Sequence, residues 1–369
     1  DRHGIAVTFR AAGTSLSGQA VSDSVLVVAG ANWNRYEILD GGARIRLQPG
    51  VIGGNANRYL APYGRKIGPD PASINAAMIG GIAANNASGM CCGTAQNSYR
   101  TVAGMRILLA DGSRLDTADP ADREAFRRAR RDLLDALDAL GREVRANAAL
   151  TERIRTKYKI KNTTGYSLNA LVDFEDPLDI LLHLMIGSEG TLGFISEITY
   201  HTVVEHPSKA SALMIFPGIE TAAAAAAILR GQPVSAVELM DRASLRSVEN
   251  KSGLPAYLKT LGPQVAALLV ETRAYTPGEL SGQVRAVADS LRHLPFERPT
   301  AFTDRVAEYT ALWNIRKGLF PAVGAVRELG TTVIIEDVAF PIDRLARATR
   351  HLQEIMRRYR YNEAIIFGH

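Results

Sequence analysis

Phe9-Arg10-Ala11-Ala12-Gly13-Thr14-Ser15-Leu16-Ser17-Gly18-Gln19-Ala20 is a glycine-bearing loop between two apolar runs, residues 5–9 and 25–29. Most of its side chains are methyls or small hydroxyls, so its backbone N–H groups can close around an anion such as a pyrophosphate. The spacing of Gly13 and Gly18 is that of a Walker A loop, but Gln19-Ala20 stand where Lys and Ser/Thr belong. That disfavours a nucleotide triphosphatase. Taken alone, the stretch reads equally well as a tight strand-to-strand connection.

The chain has 369 residues, 46% hydrophobic and 22% charged, as expected of a soluble globular protein of two or three domains. No apolar run approaches the ~20 residues of a membrane span. The net charge is +5, and the basic residues gather in 123–131 and 344–360, both helical in pattern. These read as solvated helix faces; nucleic-acid binding would call for a larger patch with interleaved aromatics. The chain opens Asp1-Arg2-His3, with neither Met nor a signal-peptide pattern, and is read as a segment of a longer protein. Its only cysteines, Cys91 and Cys92, are adjacent. Without a C-x-x-C the segment holds no iron–sulfur cluster or cysteine zinc site of its own. A reducing, cytoplasmic or membrane-peripheral setting fits, with both thiols as small packing residues.

Hydrophobic periodicity divides the chain near residue 204. Before it, 36–39 and 44–47 flank Asp40-Gly41-Gly42, and 105–110 and 113–116 flank Asp111-Gly112, both hairpin signals. Residues 51–63 read as a helix ended by Gly64, 121–149 as a charged helical insertion, and 195–204 as a strand. After it, strands are expected over 211–216, 234–240, 265–272, 331–340 and 364–367. Helices are expected over 220–230, 277–294, 304–327 (broken near Pro321) and 342–361. Repeated β-α-β units on one sheet suggest a ferredoxin-like α+β domain.

Three further segments share the character of the first loop: Pro69-Asp70-Pro71 running into Gly80-Gly81-Ile82-Ala83-Ala84-Asn85-Asn86-Ala87-Ser88-Gly89; Lys161-Asn162-Thr163-Thr164-Gly165-Tyr166; and Ile186-Gly187-Ser188-Glu189-Gly190-Thr191-Leu192-Gly193-Phe194-Ile195. In order, spacing and wording the four resemble the FAD-linked oxidases of the vanillyl-alcohol oxidase type. Within that family they look most like the D-lactate, D-2-hydroxyglutarate and glycolate dehydrogenases. Residues 86–99 are most similar to long bacterial members fused to an iron–sulfur domain. The resemblance implies an α+β fold: a PCMH-type FAD-binding domain over 1–204, with a helical insertion at about 121–160, and a ferredoxin-like cap over 205–369.

It also implies roles. Arg10, Ala11, Ala12, Gly13, Thr14, Ser15, Leu16, Ser17 and Gly18 would hold the pyrophosphate of a non-covalent FAD. Pro69 and Asp70 would shape the cofactor's edge. Gly80, Gly81, Asn85, Asn86, Ser88 and Gly89 would line the flavin, where a Cβ would obstruct close approach. Glu189, Gly190, Gly193 and the backbone of Ile195 would contact FAD, with Glu189 hydrogen-bonded and cofactor-positioning rather than a base. Tyr99 and Tyr166 either pack on the cofactor or are core aromatics. Arg316, among Trp313, Ile315, Leu319 and Phe320, wants an anion. A 2-hydroxyacid carboxylate would serve, or an internal Glu or Asp. Ile335 stands where relatives with dicarboxylate substrates can carry Lys, which weighs against 2-hydroxyglutarate. His369 matches a Gly-His to which a second His follows in the family, a pair that binds the hydroxyl or a divalent metal (Zn or Mn). The implied activity is oxidation of a D-2-hydroxyacid, with electrons leaving to a cytochrome, a quinone or a fused iron–sulfur domain. An FAD alcohol or polyol oxidase and a flavin-binding electron-transfer subunit are the alternatives.

Overall fold

The computed structural model describes residues 4–15, 18–89, 91–319, 322, 338–361 and 364–369. The chain forms two compact units, Asp1–Glu205 and His206–His369. Each has its own apolar core.

In the first unit, β1 (Val7–Arg10) and β2 (Val25–Val28) pair in parallel, joined through the opening loop. A larger sheet has the order β3 (Tyr36–Leu39), β4 (Arg44–Leu47), β8 (Gly193–Val204), β6 (Val102–Leu109), β7 (Arg114–Asp116), and β5 (Arg65–Ile67) also pairs with β8. Both expected hairpins form, β3–β4 and β6–β7. The long central strand β8 buries Ile195, Ile198 and Tyr200, and the Tyr200 hydroxyl meets the fully buried Ser98 Oγ at 2.8 Å. Helix Ile79–Asn85 packs Ile79, Ile82 and Ala83 into the same core.

The insertion is three helices, Pro120–Ala129, Arg131–Ala146 and Ala148–Lys157. Asp119 and Asn147 cap the first and third, which is why the charged run breaks where it does. Arg123 and Arg127 fasten the insertion to Asp176, at 2.8 and 2.6 Å, at the start of helix Pro177–Met185.

The second unit is an antiparallel sheet of order β12 (Phe367–Gly368), β10 (Ala236–Asp241), β11 (Ala266–Ala274), β9 (Ser208–Phe216). The expected β-α-β units are present in split form. β9 and β10 run the same way across helix Ile219–Leu229, with antiparallel β11 between them. Strand periodicity then gives the sheet two unlike faces. Ala212, Met214, Phe216, Leu239, Leu268 and Val270 point to one side, onto helices Ile219–Leu229, Pro277–Leu291 and Leu345–Arg358. By the same register Ser211, Glu238, Met240, Leu269 and Glu271 share the other. Helix Val306–Lys317 supplies Trp313 and Arg316 to that second face.

The terminal strand is shorter than expected. Phe367 and Gly368 pair with Met240 and Leu239, and before them the Ile366 carbonyl accepts from the Asp241 amide at 2.9 Å. The break expected at Pro321 lies outside the described residues, as does most of the strand expected over 331–340.

Candidate functional site

The four glycine-rich segments belong to the first unit, and the fold joins them. A methyl on Gly81 would already lie 3.5 Å from the Ala11 methyl, so the opening loop rests on helix Ile79–Asn85. The amides of Gly187 and Glu189 donate to the carbonyls of Ala83 and Ala84 at 3.1 and 2.9 Å, docking the fourth segment on that helix. The third segment touches the fourth through Tyr166 Oη and Thr191 Oγ1, 2.8 Å apart.

Glu189 is the clasp. Asn85 Nδ2 donates to its Oε1 at 2.6 Å, and Gln19 also hydrogen-bonds it. Ser15 Oγ in turn donates to Gln19 Oε1. Residues from three separated segments thus meet on one carboxylate. Its backbone is left-handed at φ 52°, unusual for a residue with a side chain. Burial raises the Glu189 carboxyl above its ordinary range, partly offset by the Asn85 and Gln19 hydrogen bonds.

The glycines divide by what surrounds them. At Gly89 a Cβ would fall 1.6 Å from the Asp70 carbonyl oxygen, and at Gly80 and Gly193 it would strike Pro49 and the Leu108 carbonyl at 2.7 and 2.8 Å. Close packing within the chain therefore accounts for these three. Gly18 and Gly190 have positive φ and nothing within 4 Å, and Gly13, at φ 69°, lies under the Arg10 side chain. Ala11, Ala12, Thr14 and Ser15 complete the described part of the loop; Leu16 and Ser17 lie outside the described residues.

Several side chains expected to face a cofactor are committed within the chain. Asn86, left-handed at φ 52°, ends helix Ile79–Asn85, and its Oδ1 accepts from the Tyr99 amide at 3.2 Å. Asp70, next to the buried Pro69, accepts from the amides of Cys91 and Cys92, both at 3.1 Å. Ser88 Oγ donates to the Asn86 carbonyl. Tyr99 is a core aromatic whose hydroxyl donates to Asp173 at 2.9 Å, while Tyr166 is 41% exposed. Ile195 is buried on β8, paired with Ile107. Cys92 is buried, and burial followed by the Asp70 charge pushes its thiol up to about 11.

The second unit holds a buried charge cluster. Glu238 is fully buried on β10. Its Oε2 accepts from Arg316 Nε and its Oε1 meets His369 Nδ1, both at 2.5 Å. The Arg316 guanidinium also lies 4.3 Å over the Phe367 ring. Next to this cluster, Trp313 Nε1 donates to Glu271 Oε2 at 2.5 Å, and Glu271 also takes Ser211 Oγ and Arg273 Nε. Arg316 and His369 are thus brought together, and what joins them is Glu238, which sequence reasoning missed. The only signal for it was an acidic residue inside an apolar strand. Arg316 does have an internal carboxylate, the alternative left open above. Among the described residues no group of three or more His, Cys, Asp or Glu side chains could hold a metal ion. The Zn or Mn implied for His369, whose further ligands the resemblance puts beyond residue 369, is not supported by any ligand set among the described residues.

Two family models match the chain: an FAD binding domain over residues 1–118, and the C-terminal domain of FAD linked oxidases over 205–369. The chain belongs to the FAD-linked oxidase family. Among its relatives is the glycolate oxidase subunit GlcD of Escherichia coli K12, 27% identical over 87% of this chain and 54% of that protein. Another is the mitochondrial D-lactate dehydrogenase [cytochrome] of Arabidopsis thaliana, 27% identical over 81% of this chain and 42% of that one. A third is the D-2-hydroxyglutarate dehydrogenase of E. coli K12, 30% identical over 52% and 19%. The chain spans about half the length, or less, of these curated relatives. A solved alkyldihydroxyacetonephosphate synthase shares the fold at TM-score 0.55 and 14% identity, over 88% of this chain and 52% of its own.

The matched binding domain takes FAD, and the first unit suits that cofactor. Open, positive-φ glycines at 18 and 190 and a loop of small residues leave backbone able to meet an anionic cofactor closely. No helix among the described residues is long and apolar enough to cross a membrane.

Proposed function

We propose that this chain carries the flavin and the substrate in a D-2-hydroxyacid dehydrogenase, whose electrons leave to a cytochrome, a quinone or an iron–sulfur partner. The observation that carries the reading is the buried Arg316, held with His369 on Glu238 in the unit that matches the oxidases' C-terminal domain. A guanidinium has five N–H donors, and Glu238 engages it at Nε. The terminal Nη groups take the substrate carboxylate as a fork. His369 takes the hydroxyl proton. Bound FAD supplies the acceptor for the hydride that leaves the α-carbon, so the acid loses hydride and proton and becomes the 2-oxoacid. The relatives' names specify glycolate, D-lactate and D-2-hydroxyglutarate, which share the 2-hydroxycarboxylate. Ile335, which lies outside the described residues, stands where the resemblance puts Lys in relatives with dicarboxylate substrates, and that weighs against a second carboxylate on the substrate.

The FAD is held non-covalently. The 10–20 loop has no His, and a buried thiol pushed up to about 11 is a poor nucleophile. Acid precipitation should release the yellow colour; colour kept by the pellet would contradict this.

The ion pair with Glu238 is the observation that favours a second reading. In it Arg316 only supports the fold, and the protein is a polyol oxidase or an electron-transfer subunit. Stopped-flow mixing of the whole flavoprotein with D-2-hydroxyacids and neutral polyols separates these. Bleaching by the hydroxyacids alone is expected. Bleaching by polyols, or by nothing in the panel, would overturn the first reading.

A further inference from the structure

We propose that the first unit takes up a proton on Glu189 as it binds FAD, so that pH sets cofactor affinity through the clasp. The inference rests on the reading that the opening loop, at Gly13, Thr14 and Ser15, takes the FAD pyrophosphate.

The hydrogen bonds of the clasp all run toward Glu189. An ionised carboxylate only accepts. Asn85 Nδ2 donates to its Oε1 at 2.6 Å, and Gln19 hydrogen-bonds the same carboxylate. The donor of a glutamine side chain is its NH₂, so Gln19 meets Glu189 with Nε2. Its Oε1 is left to accept, and accepts from Ser15 Oγ. The Ser15 hydroxyl proton is therefore spent on Gln19 rather than left for an anion on the loop. Protonation of Glu189 lets the chain reverse. The carboxyl O–H donates to Gln19 Oε1, the turned amide donates through Nε2 to Ser15 Oγ, and the Ser15 proton is released toward the pyrophosphate. Asn85 keeps the other carboxyl oxygen, so no polar atom of the clasp loses its partner.

Charge points the same way. A pyrophosphate brings further negative charge to a loop hydrogen-bonded to a half-buried carboxylate, and like charges favour the protonated form. Burial already raises the Glu189 carboxyl. The ionisable side chains on the elements around it are few. Arg10, over Gly13, is that of the opening loop; Lys161 and Tyr166 are those of the third segment; helix Ile79–Asn85 has none. Asp70, in the second segment, is engaged by the amides of Cys91 and Cys92. His183, in the helix that leads into the fourth segment, stacks on Phe174 at 3.9 Å and meets the Tyr99 ring at 4.9 Å.

The whole flavoprotein, stripped of flavin and titrated with FAD, tests this. Calorimetric titration in buffers of different ionisation heat counts the protons that accompany binding. The wild type should take up protons, approaching one per FAD between the pKa of Glu189 in the stripped protein and its higher value in the loaded one. Over that window Kd should rise with pH by up to about tenfold per unit, because the loaded state holds the proton more tightly. The infrared difference between loaded and stripped protein should gain the C=O stretch of a protonated carboxyl. Glu189→Gln has an NH₂ that can donate to Gln19 as a protonated carboxyl would. It should lose that band, take up no proton, and bind FAD at every pH about as tightly as the wild type does in acid. A wild-type Kd that is flat with pH or falls as pH rises, or Glu189→Gln keeping the wild-type pH dependence, would overturn the proposal. If Glu189→Gln does not fold, the wild-type proton count and the carboxyl band decide. The reading of the loop is judged separately. Gly13→Val, strained at φ 69° and striking the Arg10 side chain, should weaken FAD binding at every pH. Unchanged affinity there would fail the reading of the loop, whereas the outcomes above fail the clasp alone.

Discussion

Arg316 serves the proposed chemistry only through the donors that Glu238 leaves to it. If those donors bind the substrate carboxylate, Arg316→Ala removes one partner of a desolvated charge pair, a loss of about 2–5 kcal/mol. That is roughly thirty-fold or more in kcat/KM, at about 1.4 kcal/mol per factor of ten. Arg316→Lys should not restore it, because a point charge cannot hold Glu238 and a carboxylate with the geometry of a fork. Unchanged kinetics in Arg316→Ala, at full flavin occupancy, would leave this residue to the fold. Glu189 makes a different prediction. Its carboxyl is raised by burial, so the folded protein binds its proton more tightly than the unfolded chain does. Above the ordinary carboxyl range the folded state carries a poorly solvated charge, and stability falls as pH rises through the raised value. Glu189→Gln keeps an oxygen for Asn85 and removes that charge. Its melting temperature should equal or exceed the wild type's at pH 7, and the gap should close near pH 4. A variant less stable at pH 7 than at pH 4, relative to wild type, would show that the charge itself holds the clasp.

Helix Val306–Lys317 is tied to its sheet by two buried acids on one face of adjacent strands, Glu271 to Trp313 and Glu238 to Arg316. Trp313 and Arg316 are three residues apart, so they leave the helix on the same side. Trp313→Phe keeps most of the apolar contact but removes the indole N–H. Glu271 retains Ser211 and Arg273, so the loss should fall at the lower end of the about 1–3 kcal/mol typical of an unsatisfied buried polar group. Urea unfolding would measure it, and a midpoint no lower than the wild type's would show that the bond contributes nothing. The element also shows why part of the site escaped the sequence. Ala236–Asp241 reads correctly as a strand, but both of its faces are buried, so periodicity cannot say where Glu238 points. Its partners come from 78 and 131 residues away. Arg316 was marked by its type and apolar setting and His369 by the resemblance alone; the carboxylate that joins them in the fold was marked by neither.

Because each unit has an apolar core of its own, the cofactor's contribution is separable from the rest of the chain. FAD that binds only the folded first unit should stabilise it by about 2.7 kcal/mol at a hundredfold excess over Kd. Adding FAD to stripped protein should therefore raise the unfolding temperature of that unit, and no shift at saturating FAD would argue that its loops do not hold the cofactor. The residues by themselves determined the α+β class, both hairpins, the helical insertion and the four small-residue segments, because turns, caps and apolar periodicity are local. They also marked Arg316 and Glu189 as groups in need of partners, since buried charge is costly wherever the chain places it. Only the tertiary structure could show that Gly80, Gly89 and Gly193 are small for the chain's own packing, that Gln19 and Asn85 meet on Glu189, and that Glu238 holds Arg316 and His369 together. Those facts depend on strand register and on contacts between distant segments, which no local pattern of residues encodes.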